Sequence, residues 1–222
     1  MPAIKSEYPN EDSDSTLNTE DVIVSVGSDS KIFTLPRDVL TEIFPDMDLD
    51  YEAASSDFSY WDPNIFALFE KWLYSGTLAD LSEDDEEEAK DLLRQYLEMY
   101  FLATIWNVQD LENLIMDKIR HRHTCGDGYF PRSLIKSVYE NTEPGSILRE
   151  YVADSFLYKS ALWGKEVRHE LIKRHLDYGN TDFVYETIVA FDDVEDLLDI
   201  LDPNRDMDCG YHNHREGRVC SV

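Results

Sequence analysis

From Asp21 onward the chain alternates apolar and polar residues. Val22, Val24 and Val26 fall on one side of an extended segment, Gly27-Ser28-Asp29-Ser30 supplies a turn, and a second extended segment runs from Lys31 to Leu35. This is the pattern of a β-hairpin. The period then lengthens. Pro36 suits the first turn of a helix that groups Val39, Leu40, Ile43 and Phe44 and stops at Pro45. Phe58 to Trp61 reads as a third, short strand, after which Asp62-Pro63 provides an N-cap and a proline at the first helical position. Ile65, Phe66, Phe69, Trp72 and Leu73 make the broad apolar stripe of a core helix, and Gly76 is placed to end it in the left-handed conformation.

Ser82-Glu83-Asp84-Asp85 combines an N-cap with acids where a helix dipole favours negative charge, and predicts a longer helix with Leu92, Leu93, Tyr96, Leu97, Tyr100 and Phe101 on its apolar side. A break near Trp106-Asn107-Val108 leads to another helix carrying Leu111, Leu114, Ile115 and Ile119. Beyond a Gly126-Asp127-Gly128 loop, helical spacing returns in Leu134, Ile135 and Val138, in Ile147, Leu148, Tyr151 and Val152, and in Phe183, Val184, Ile188 and Val189. An all-helical C-terminal extension follows. No repeat of solenoid period is present.

Composition narrows the class. With 222 residues, 42% of them hydrophobic, most of the chain has the apolar material to build a core. The formal net charge of -27 repels phosphate backbones and anionic headgroups, so nucleic acid and acidic membranes are not expected partners. The first 20 residues are polar and acidic and predict a disordered leader, neither a signal peptide nor a basic transit peptide. No apolar run reaches membrane-spanning length. Three cysteines, Cys125, Cys209 and Cys220, are too few for a secreted disulfide framework. An intracellular protein of the cytoplasm or nucleus is expected. Residues 118–180 hold 11 of the 20 basic residues, but Glu166, Glu170 and Asp177 are interleaved with Lys165, Arg168, Lys173 and Arg174, the spacing of surface ion pairs.

The chain has no Walker loop, G-x-G-x-x-G, G-x-S-x-G or H-E-x-x-H. The acidic runs Glu83 to Glu88 and Asp192 to Asp202 read as solvated caps and faces. No enzyme is expected. The sharpest chemical constellation is Cys209, His212, His214 and Cys220, four zinc-type donors within 12 residues. A flexible polar tail is the competing reading, and the single residue between His212 and His214 is an awkward spacing for one metal. A second cluster, His121, His123 and Cys125, lies at a helix end beside Lys118, Arg120 and Arg122, where positive charge complements the dipole.

The order of hairpin, short helix, short strand and helices resembles the BTB/POZ domain in its fungal form. The resemblance is carried by Asp21-Val22, Phe33, Leu35, Val39, Leu40 and the run Phe66 to Leu78, whose Tyr74-Ser75-Gly76-Thr77-Leu78 is similar to the family's Tyr-x-Gly-x-Leu exit. Asn141 to Val152 resembles the helical region that follows this domain, and Cys209 to His214 resembles the tails of fungal members. The resemblance implies an α+β protein: a BTB/POZ fold over 21–123, with a short β-sheet and a cluster of helices, then a helical extension over 124–201. A leader over 1–20 and a polar Cys/His tail over 202–222 complete the division. It also implies a non-catalytic interaction module that self-associates or serves as a substrate adaptor for a cullin-RING ubiquitin ligase. The loop Pro45, Asp46, Met47, Asp48 and Leu49 would be its partner-contact surface. The alternative is a zinc-binding protein whose C-terminal tail carries the function.

Overall fold

A computed structural model describes residues 21–43, 58–81, 86–125, 130–192, 200–205 and 209–214. The described residues form a mixed α+β protein, mostly helical, with one two-stranded antiparallel sheet and eight α-helices. They divide into two compact units. A hairpin unit comprises the described residues up to Ala79 together with Ile105–Val108, and a helical unit comprises Asp80–Thr104 and the described residues from Gln109 onward.

In the hairpin unit, β1 (Asp21–Val26) pairs with β2 (Lys31–Pro36) so that Val24 faces Phe33 and Val26 faces Lys31. The pleat sends Val22, Val24, Val26, Phe33 and Leu35 inward and leaves Ile23 and Ile32 50% and 59% exposed on the other side. Gly27 opens the turn with φ +76°, and its N–H donates to the Phe58 carbonyl at 3.1 Å. A Cβ at Gly27 would lie 2.8 Å from Pro63 Cγ, so both conformation and close approach require glycine here. Pro36 ends β2 instead of opening the helix. At the end of an edge strand its missing N–H costs no interior ladder bond. Helix α1 (Arg37–Ile43) follows and buries Leu40.

The expected strand over Phe58–Trp61 is a turn, closed by Trp61 N–H donating to Phe58 O at 3.1 Å. The chain must reverse there to enter α2 (Pro63–Ser75), and only Phe58 of the four is buried. Local signals set α2. Asp62 Oδ1 accepts from Asn64 N–H at 2.7 Å, Pro63 opens the first turn, and Gly76 closes the last at φ 65° with its N–H on Trp72 O. Ile65, Phe66, Phe69, Trp72 and Leu73 are all buried. Phe66 packs on Phe33 and Phe58 at centroid distances of 4.7 and 5.3 Å. Trp106 meets Phe58, Trp61 and Phe69 at 5.0, 5.2 and 5.4 Å.

The helical unit contains α3 (Glu86–Ile105) up to Thr104, α4 (Gln109–Cys125), α5 (Arg132–Asn141), α6 (Ile147–Trp163), α7 (Lys165–Tyr178) and α8 (Thr181–Asp192). Helix α6, capped by Ser146, packs against α5, α7 and α8 and is buried through Leu148, Tyr151, Val152, Phe156 and Leu157. Its Arg149 is a buried cation held from several sides. Nε donates to Thr142 Oγ1 at 3.0 Å, Nη2 donates to the carbonyls of Tyr139 and Thr142, and Nη1 lies 3.4 Å from Glu186. Helix α8 turns Phe183, Val184 and Thr187 inward, whereas Ile188 and Val189, expected in the core, are nearly half exposed. Thr187 takes the inward position because its hydroxyl is satisfied by Phe183 O at 2.7 Å. No helix among the described residues is long and apolar enough to cross a membrane.

Candidate metal centre

The residues from 200 to 214 that are described lie along α4 and α6 within the helical unit, not as a free polar tail. Pro203 O accepts from Arg120 Nη2 at 3.3 Å, and Asn204 Oδ1 accepts from the Tyr151 hydroxyl at 2.6 Å. A 3-10 turn, Cys209–Tyr211, is closed by His212 N–H donating to Cys209 O at 3.1 Å. Tyr211 stacks edge-on against Tyr151 at 5.1 Å, accepts the Arg120 guanidinium over its ring at 5.1 Å, and donates its hydroxyl to Asp154 at 2.8 Å. Burial holds the Asp154 carboxyl above its usual range, with the Tyr211 hydrogen bond working against that rise.

Asn213 is fastened on both sides of its backbone. Its N–H donates to Asn113 Oδ1 at 2.8 Å, and its C=O accepts from Asn113 Nδ2 at 2.9 Å. Its side-chain amide donates to Glu112, a buried acid whose pKa is raised by desolvation and lowered in part by this bond. One residue earlier, His212 Nε2 sits 2.8 Å from Asp117 Oδ1. Asn113 and Asp117 are four apart on α4, so one helix face grips the segment at two successive turns.

This clamping gathers three of the four donors expected from the sequence. The sulfur of Cys209 and one ring nitrogen each of His212 and His214 lie within 4.8 Å of one another. Among the described residues this is the one group of three or more His, Cys, Asp or Glu side chains placed to hold a metal ion. Cys209 is half-buried and His214 exposed, so the group is open to an incoming ion. A thiol with two imidazoles is a borderline-soft set suited to zinc and unsuited to calcium or magnesium, which take oxygen. The fourth expected donor, Cys220, and the expected partner-contact loop Pro45, Asp46, Met47, Asp48 and Leu49 lie outside the described residues.

Of the second cluster, the two histidines are described and differ in environment. His121 is exposed, whereas His123 is buried, with Nδ1 2.7 Å from the Tyr151 hydroxyl and its ring edge-on to Phe130. Burial, with Lys159 and Arg122 nearby, pushes the His123 pKa down to about 4, so this imidazole adds no positive charge to the end of α4 at neutral pH. Sequence reasoning missed Glu112, Asn113 and Asp117. On a helix they look like a solvated face, and their partners lie about 100 positions further along the chain. No family model matches the chain, and neither does any curated protein or solved structure.

Proposed function

We propose that this chain is a non-catalytic protein–protein interaction module, with a region of BTB/POZ design over residues 21–123 that associates with a second copy of itself. One observation carries the reading. The hairpin turns its Val- and Phe-rich face inward onto α2 while Ile23 and Ile32, on diagonal positions of the opposite face, stand at least half exposed. A two-stranded ribbon is marginal alone and gains from further pairing or packing, and an isologous contact lets one apolar patch serve both copies. The outward face also holds Ser25 and Thr34, which leave the strand pairing uninterrupted by charge at its centre.

Within this reading the helical extension from residue 124 onward or the terminal segments carry recognition, and a cullin-RING ubiquitin ligase is the assembly the module serves as a substrate adaptor. The few unevenly spaced cysteines support placement in the cytoplasm or nucleus. Light scattering on the full chain, paired with a pull-down against a purified cullin, tests the proposal. A dimer that dissociates on combining Ile23→Lys with Ile32→Lys is the expected result. A strictly monomeric chain with no cullin affinity overturns it.

A further inference from the structure

We propose that Cys209, His212 and His214 bind a zinc ion that staples the C-terminal segment onto α4. Tetrahedral zinc holds nitrogen at about 2.0–2.1 Å and thiolate sulfur at about 2.3 Å, which puts neighbouring donors about 3.5 Å apart. The three donors already lie within 4.8 Å of one another, about 1 Å more than the spacing around a bound ion.

Two further features prepare the site. Asp117 holds His212 at Nε2, so a metal on that ring is taken through Nδ1 while Nε2–H is donated to the carboxylate. That pairing of carboxylate, histidine and metal orients the ring and raises its basicity as a ligand. Between the two histidines, Asn213 is clamped through both its N–H and its C=O, which removes much of the conformational freedom that an unanchored Cys-x2-His-x-His segment would lose on binding. The single-residue spacing that looks unfavourable in the sequence is thereby made usable. The fourth position of the ion is left to water. Binding adds its own free energy to the hydrogen bonds already holding the segment, so an ion here strengthens the hold of the segment on α4.

The test is a calorimetric titration of the chelator-treated full chain with Zn²⁺ alone. One ion per chain at submicromolar Kd is expected. Cys209→Ser and His214→Asn should each weaken binding at least about 100-fold, and Asp117→Asn about 10- to 100-fold through loss of ring orientation. His214 is exposed, so its replacement leaves folding intact if Cys209→Ser does not. Cobalt(II) in place of zinc should give a sulfur-to-metal charge-transfer band that Cys209→Ser abolishes and Cys125→Ser retains. Binding weaker than about 10 µM, a stoichiometry other than one, or undiminished affinity in both ligand variants overturns the site. Metal-free dimers would sink this assignment and spare the interaction reading, and zinc-loaded monomers without cullin affinity would do the reverse.

Discussion

The two units solve the problem of specifying a core in opposite ways. Among the described residues of the hairpin unit, the buried side chains are Val, Leu, Ile and Phe, with the Trp72 indole as the one polar handle. Among its described residues the helical unit buries ten that are polar or charged, among them Arg120, His123, Arg149, His175, Asn180 and Asn204. An aromatic and aliphatic core is held by non-directional burial and tolerates exchange at constant volume. A core threaded with charges and amides is held by geometry, and losing one member strands the rest. The hairpin unit should therefore absorb substitution, whereas the helical unit should resist it and respond to pH.

The sharpest way to break this contrast is Arg149→Met, which keeps much of the volume and removes the charge. It strands the Tyr139 and Thr142 carbonyls and the Glu186 carboxylate, for an expected loss of about 3–5 kcal/mol. Ile65→Leu in the hairpin unit should cost less than about 1.5 kcal/mol. Hydrogen exchange resolved by helix reads both, and equal losses would erase the distinction. Acid comes next in size. Burial, with Arg132 nearby, lowers His175 to about 4, the same value as His123. Between the unperturbed pKa near 6.5 and about 4, the unfolded chain takes up protons that the folded chain refuses. Stability thus falls as pH drops through this window, by about 1.4 kcal/mol per pH unit for each imidazole. Asp154 and Glu112, held above the ordinary carboxylate range, act in the opposite sense nearer pH 4 because the folded chain protonates them first. Exchange protection in α4, α6 and α7 should therefore weaken between pH 7 and 5 while that of α2 holds.

Smaller effects sharpen the hairpin side. Gly27→Ala combines a positive φ with a Cβ 2.8 Å from Pro63 and should cost about 1–3 kcal/mol, visible as a lower urea midpoint. Asp62→Ala removes the α2 cap and should cost about 1 kcal/mol by the same measurement, with Asp62→Asn close to neutral.

Legibility follows the range of the interactions. Helix α2 is readable to its ends because Asp62, Pro63 and Gly76 act within a few positions of where they sit. Phe58–Trp61 misleads because four residues are too few to separate a strand from a turn, and what places Phe58 is a carbonyl bond to Gly27, 31 positions earlier. On α8 the apolar letters fit a helix, but periodicity does not say which stripe faces in, and a satisfied threonine wins over Ile188. The donors Cys209, His212 and His214 stand out by residue type and closeness in sequence. What gathers them, Asn113 and Asp117, is ordinary helix-surface chemistry until the segment arrives.

Residues Ile105–Val108 belong to the hairpin unit although the chain on either side of them belongs to the helical one. Trp106, which fills the space between Phe58, Trp61 and Phe69, is thus delivered only after about 30 further residues have left the ribosome beyond Ala79. At about 5–20 residues per second, the nascent aromatic cluster waits seconds for its last member, a window in which it is open to chaperones. Cutting the gene at the first apparent boundary would release a fragment that never receives its keystone.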